Sequence, residues 1–225
     1  MTGRFQSEEE IENYPVNIDG QGNRTLLPGD LIYEDVNNDG IINQMDERPI
    51  GYSDDSTPFL NFGLNAQVNY KSLQVIVGLF GGSLQSWNQA ETVRVPFYDN
   101  GNSPEYLFED RWHRQDPYND QSNWISGQYP AIREGNLEHS NYRHNDFWLK
   151  NVNYLRLRNL AVTYSLPNQF VQRFGLEGIN ITGRASNLFS IDNMRDVQVD
   201  PEIDDPDGLQ YPQQRLFSFS FEIQL

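Results

Sequence analysis

The sequence predicts an all-β fold: an antiparallel segment of a transmembrane β-barrel with long loops on one side. Three observations carry this. The closing stretch, from Phe217 onward, places a large apolar residue at every odd position and a polar one at every even position, the pattern of a strand with one greasy and one wet face. Leu60, Phe62, Leu64, Ala66, Val68 and Tyr70 alternate with Asn61, Gly63, Asn65, Gln67 and Asn69, and this stretch matches the roughly 9–11 residues that a tilted membrane-crossing strand needs. The connections between such stretches alternate between short and long, as they do in outer-membrane barrels.

Composition narrows the alternatives. The net charge of −16 would repel a phosphate backbone, so no nucleic-acid partner is expected. The absence of cysteine removes disulfide frameworks and thiolate metal sites. No run approaches the roughly 18 apolar residues of a membrane helix. Met1-Thr2-Gly3-Arg4-Phe5 lacks the apolar core of a signal peptide. A mean hydropathy of −0.70 is compatible with barrel strands, which are only half apolar. Twelve Tyr and thirteen Phe suit a barrel girdled by aromatic residues.

Taken in order, residues 1–34 read as surface. Ser7-Glu8-Glu9-Glu10 has the form of a capping box and predicts one short helix. Residues 17–30 are rich in Asn, Asp, Gly and Pro and read as loop. Residues 35–46 then match a calcium loop. Side-chain oxygens of Asp35, Asn37 and Asp39 alternate so that they can converge on a hard cation. Gly40 makes the sharp turn, Ile41 offers its carbonyl, Asn43 acts through water, and Asp46 closes the site in place of the usual Glu. The competing reading is a turn rich in Asn and Asp that holds no ion. Residues 1–58 are expected to form an extracellular loop region around this loop, and residues 59–225 the barrel strands.

After the 60–70 strand, Lys71-Ser72 predicts a tight turn. Leu73, Val75, Val77 and Leu79 then return as a second strand, alternating with Gln74, Ile76, Gly78 and Phe80. Residues 83–147 read as a very long irregular connection, a length usually tied to function. A third strand region covers 147–166. Its apolar phase slips from Leu155 and Leu157 to Leu160, Val162 and Tyr164, which predicts a β-bulge with one extra residue near Arg158–Asn159. Pro167 ends it, and 168–174 predict a helical turn before Gly175. The fourth strand is 179–189. Residues 192–214 form an acidic loop that leads into the closing strand. If that strand ends on the periplasmic side, the calcium loop lies outside the cell.

Several segments resemble the carboxy-terminal part of SusC/RagA-type TonB-dependent outer-membrane transporters. They include Gly3-Arg4-Phe5-Gln6-Ser7, Pro28-Gly29-Asp30-Leu31-Ile32-Tyr33 with Asp35-Val36-Asn37-Asn38-Asp39-Gly40, and Pro49-Ile50-Gly51. Further on come Asp146-Phe147-Trp148-Leu149, Tyr154-Leu155-Arg156-Leu157-Arg158-Asn159-Leu160, and Tyr164-Ser165-Leu166-Pro167. The last are Ser186-Asn187-Leu188-Phe189, Tyr211-Pro212 and Arg215-Leu216-Phe217-Ser218-Phe219. The resemblance implies a plugged barrel of about 22 strands, of which this chain would hold the last five or so. It further implies import of oligosaccharides, in some members peptides, across a Bacteroidetes-type outer membrane. TonB would act through an amino-terminal part outside this chain, and a SusD-like surface lipoprotein would lid the barrel. Five strands cannot close a lumen, so both outer strands would be edges. The family usually ends on an aromatic residue, where this chain has Leu225.

No catalytic constellation is apparent, and no enzyme is expected. His113, His139 and His144 lack nucleophile or metal spacing and read as exposed loop residues. Asp204 and Asp205 could imitate a glycosidase pair. Arg156 and Arg158 share a strand face, where they either touch ligand or pair with neighbouring carboxylates. Trp87, Trp112 and Trp124 are candidates for stacking on sugar rings, or for packing loops together. A secreted β-rich calcium-binding module is the rival from another class. It resembles a dockerin locally, but dockerins carry two such loops.

Overall fold

Five strands follow one another as an antiparallel meander, each hydrogen-bonded to the next in sequence. They are β1 (Leu60–Tyr70), β2 (Leu73–Asn88), β3 (Leu149–Ser165), β4 (Gly178–Asp192) and β5 (Leu216–Gln224). The computed structural model describes residues 1–52, 57–133, 138–202, 211 and 213–225; Asp204, Asp205 and Pro212 lie outside them.

The alternation read from the sequence sets the register. Leu64 opposes Leu79, Ala66 opposes Val77 and Val68 opposes Val75, while Asn65 opposes Gly78 and Asn69 opposes Gln74. Between β4 and β5, Ile179 opposes Ile223 and Ile181 opposes Phe221, with Asn180 against Glu222 and Thr182 against Ser220. A slip of one residue would exchange the two faces. Lys71 adopts a left-handed φ of 54°, which lets β1 reverse into β2 in two residues. The helical turn after Pro167 forms over Asn168–Val171 and Gln172–Phe174, and Gly175 (φ 73°) stops it.

The irregularity predicted near Arg158–Asn159 occurs there: the β3–β4 register shifts between Leu157 and Asn159. The strand that supplies the extra residue is the partner. Across the shift β3 advances two positions, while β4 advances three, from Phe189 to Ser186. Asn187, in between, takes a left-handed φ of 52°. Asn tolerates that conformation better than most residues, so the corrected bulge sits on β4.

The chain divides into two compact units: Met1–Gly51 with Asn88–Lys150, and Tyr52–Trp87 with Asn151–Leu225. The second holds the sheet. The first is built from short pieces around two apolar clusters. One gathers Phe5, Ile11, Ile18, Leu26, Ile32 and Ile42. The other gathers Val95, Leu107, Tyr129, Tyr142 and Trp148, with Phe147 edge-on to Trp148 at 4.6 Å. The helix Glu8–Glu12 is capped as expected: Ser7 Oγ accepts from the Glu10 amide at 3.1 Å, and Ile11 is its buried residue. The connection read as irregular is thus largely irregular yet packed, because its aromatic residues supply a core of their own.

Candidate functional site

The sheet presents two chemically distinct faces. On one lie Phe62, Leu64, Val68, Tyr70, Phe217, Phe219, Phe221 and Ile223, all exposed. Leu64, Val68, Phe219 and Ile223 are 58–74% exposed, so among the described residues neither a second sheet nor a helix layer covers them. Burying one such side chain is worth about 1.5–3 kcal/mol, so a long uncovered apolar stripe in water would carry a large penalty. In hydrocarbon that penalty vanishes. A shallow trough of about 420 Å³ runs over Gly183 and Ala185 between Leu160, Val162, Phe217 and Phe219 on this face.

The opposite face is mostly polar, with Ile76 and Phe80 as apolar exceptions. A Cβ added to Gly78 would meet Asn65 Oδ1 at 3.1 Å and Asn159 Cβ at 3.4 Å, so these three positions share a face. Thr163 and Thr182 hydroxyls bond across it at 2.9 Å, and Ser165 donates to Asn180 at 2.7 Å. Phe80 belongs to the same face by strand parity, and the Arg158 guanidinium lies 4.2 Å over its ring. The long Arg158 side chain thus brings its guanidinium to the face on which Asn159 lies, next to the register shift between Leu157 and Asn159.

Both arginines meet carboxylates. Arg156 Nη2 lies 2.6 Å from Asp200 Oδ1 and its Nη1 lies 3.3 Å from Glu202 Oε2. Arg158 Nη2 donates to both oxygens of Glu202, at 2.9 and 3.0 Å. Trp87 is buried with Val152, Tyr154, Met194 and Val197. Trp112 is buried as well and lies against Gly29. Trp124 is partly exposed; its indole donates to Glu8 Oε1 at 3.2 Å, and Arg114 lies over its ring at 4.7 Å. The histidines divide. His144 is exposed and His113 half-buried, whereas His139 is 4% exposed, against expectation. No spacing rule marks it, because its cover comes from residues distant in sequence.

The 35–46 loop curls around its own carboxylates. Asp35 accepts from the amides of Asp39 (3.2 Å) and Gly40 (2.8 Å), and Asn37 Oδ1 from the Asp39 amide (3.0 Å). Asp39 accepts from the Ile41 amide (2.9 Å). Asp46 clamps the two ends through the amides of Val36 (2.9 Å) and Asn43 (2.8 Å). These bonds, that of Asn43 first, hold the Asp46 carboxyl below the usual range. Among the described residues no three His, Cys, Asp or Glu side chains stand close enough to hold a metal by themselves. The loop gathers Asp35, Asn37 and Asp39 at one end and Asp46 at the other, and all offer hard oxygen donors of the calcium type. A second loop braces it: Asn17 donates to the Gly40 carbonyl at 2.8 Å and accepts from the Ile42 amide at 3.0 Å. The dense Asn, Asp and Gly content of 17–25 was the sequence signal for that brace.

No protein-family profile matches the chain. TonB-dependent receptor P3 of Formosa agariphila is 26% identical over 163 residues, which cover 72% of this chain and 14% of that protein. The chain resembles part of a TonB-dependent receptor. Among solved structures, the RagAB peptide importer in its closed-closed state superposes with a TM-score of 0.51 at 17% identity. That match covers 83% of this chain and 19% of the solved one. The RagAB peptide transporter gives a TM-score of 0.47 at 18% identity, over 76% of this chain and 17% of that one. The closed-closed likeness is one of fold, and it bears out the partial antiparallel barrel; the resemblance to a TonB-dependent receptor comes from the Formosa agariphila sequence. The chain spans less than a fifth of each of these relatives. Among the described residues no helix is long and apolar enough to cross a membrane, which says nothing about strands.

Proposed function

We propose that this chain forms part of the wall of a TonB-dependent importer in the outer membrane of a Gram-negative bacterium. The observation that carries the reading is the register: along most of both outer strand pairs apolar positions oppose apolar ones and polar oppose polar, Leu60–Ser83, Gln67–Ile76 and Ser186–Leu216 being exceptions, and nothing described covers the apolar side. The apolar side faces lipid, and the polar side faces a wet passage through which cargo moves without chemical change. Oligosaccharides are the proposed cargo and peptides the alternative; the solved RagAB relatives are described as a peptide importer. Side-chain amides and hydroxyls such as Asn65, Asn159 and Thr163 suit either, because both cargoes are rich in neutral hydrogen-bonding groups. A SusD-like surface lipoprotein and TonB complete the machine. Trp124, the least buried of the three tryptophans singled out, is the remaining candidate for stacking on a sugar. Calcium, held by Asp35, Asn37, Asp39, the Ile41 carbonyl and Asp46, with Asn43 acting through water, staples the 35–46 loop without taking part in transport.

The test places one arginine on each face in the full-length protein. Val68→Arg and Phe219→Arg should each lower the folded, membrane-inserted fraction, by about 2–4 kcal/mol at the midplane, while Gln67→Arg and Ser220→Arg leave it unchanged. Equal tolerance on both faces refutes the assignment.

A further inference from the structure

The chain that follows β4 does not stand away from the sheet. Residues 193–202 turn back and lie on β2 and β3. Met194 and Val197, 0% and 4% exposed, join Trp87, Val152 and Tyr154 in one apolar cluster, with Phe80 and Val199 against it. The near end is tied to β3 by Asn193, which accepts from the Asn153 amide at 2.9 Å and donates to the Asn151 carbonyl at 2.6 Å. The far end is tied by Asp200 and Glu202 to Arg156 and Arg158. The Arg156 side chain is 4% exposed and its two partners 11% and 8%, so the Arg156 pairs are shielded from water, whereas Arg158 is 43% exposed. A further bond, from the Glu202 amide to Asp200 Oδ1 at 3.0 Å, sets the two acids side by side.

The side on which this happens matters. Phe80 and the Arg158 guanidinium lie on the face that carries Asn65, Gly78 and Asn159. A segment packed there lies over the polar face rather than the apolar one. Its contacts are apolar side chains, the Asn193 bonds and two carboxylates, of which Glu202 is shared by both arginines, with none of the paired strands that make the sheet itself hard to open. Because Glu202 serves both arginines, freeing that one residue loosens both ties together.

We propose that residues 193–202 form an inward strap that narrows the passage, and that Arg156 is the positioning residue that holds it closed. This rests on the reading that the polar face lines a passage, and adds what limits access to it. Opening requires Asp200 and Glu202 to leave the arginines and Met194 and Val197 to leave their apolar seat. Both would then be exposed.

The experiment uses the full-length protein in intact cells. A reporter cysteine replaces Asn65, and a membrane-impermeant maleimide reads its accessibility from outside. Protease cleavage within 193–202 is followed in parallel. Arg156→Met should raise both the labelling rate and the cleavage several-fold. Arg158→Met, which removes only one tie to Glu202, should give a smaller rise and guards against failure of the first variant to fold. The swap Arg156→Asp with Asp200→Arg should return both readouts toward the starting values, which a purely structural role for Arg156 would not produce. Unchanged labelling and cleavage in both methionine variants overturn the strap. Increased cleavage with unchanged labelling shows a strap that does not limit access, and overturns the gating role. If the Asn65→Cys reporter stays unlabelled after the strap is cut, while an Ala66→Cys reporter is labelled, the face assignment itself has failed.

Discussion

Asn141 Nδ2 donates to Asp30 Oδ1 at 2.8 Å, joining positions 111 residues apart in sequence. Asn141 also accepts from the Leu31 amide at 3.0 Å, while Asp30 accepts from the Leu27 amide at 2.7 Å and from Arg133. Asp30 and Asn141 are both 0% exposed, so the pair forms a polar centre within the first unit. Buried charge is tolerated when paired and hydrogen-bonded; here Arg133 pairs the charge, and Asn141 and the Leu27 amide add hydrogen bonds. Burial nonetheless raises the Asp30 carboxyl above its usual range, against the pull of Arg133.

His139 sits beside this centre, its Nε2 3.8 Å from Asp30 Oδ2, and its Nδ1 accepts from the Asn141 amide at 3.2 Å. Burial first, and then the neighbouring charge of Arg133, push its pKa from 6.5 down to about 4. The unfolded chain therefore takes up a proton between those values that the folded chain refuses. Stability falls as pH drops from about 6.5 to about 4, by up to roughly 3 kcal/mol, and this loss ends below that window. Asp30 acts with the opposite sign: its raised carboxyl binds a proton more readily in the fold, so its contribution weakens as pH rises above the ordinary carboxylate value. Comparing the wild type with His139→Gln isolates the histidine. The hydrogen-exchange protection of 25–33 and 139–148, corrected for the intrinsic rate at each pH, should fall on acidification in the wild type, and much less in the variant.

Gly29 adopts φ of 92°, and a Cβ there would stand 2.6 Å from Trp112 Cβ. Gly29→Ala adds left-handed strain to a forced shift of a buried indole, a combined loss of about 2–4 kcal/mol. Gly20 is the control: its φ is 74°, but nothing lies within 4 Å of an added Cβ. Gly20→Ala should cost only the backbone strain, about 1 kcal/mol. Trp112 fluorescence during denaturant unfolding, with the other tryptophans replaced by Phe, separates the two. Equal midpoints would show that the Gly29–Trp112 contact carries no weight.

If calcium staples the 35–46 loop, its removal should loosen that loop alone. Chelation should raise protease cleavage within 35–46 while the protein stays in the membrane fraction, and Asp35→Asn combined with Asp39→Asn should reproduce the effect without chelator. The Asn17 bonds to the loop limit how far the damage spreads. Cleavage that is the same with and without metal argues that the amide hydrogen bonds already hold the loop unaided.

Side-chain alternation is a local property, because successive Cβ atoms of an extended chain point to opposite sides whatever the rest of the molecule does. For that reason the strands at 60–70, 149–165 and 216–224, their two faces, the Lys71 turn and the place of the bulge were legible in the amino-acid order. So was the Ser7 cap, which needs only its own first turn. Partner choice is not local. That Asn187 rather than a β3 residue would absorb the bulge, that Glu202 would serve two arginines, and that Trp87, Trp112 and His139 would be buried all depend on segments tens to a hundred residues away. Such contacts form only when long loops close, and closure depends on which apolar and charged groups then meet. Alternation along the chain therefore set the two faces, while the fold in three dimensions decided what lies across them.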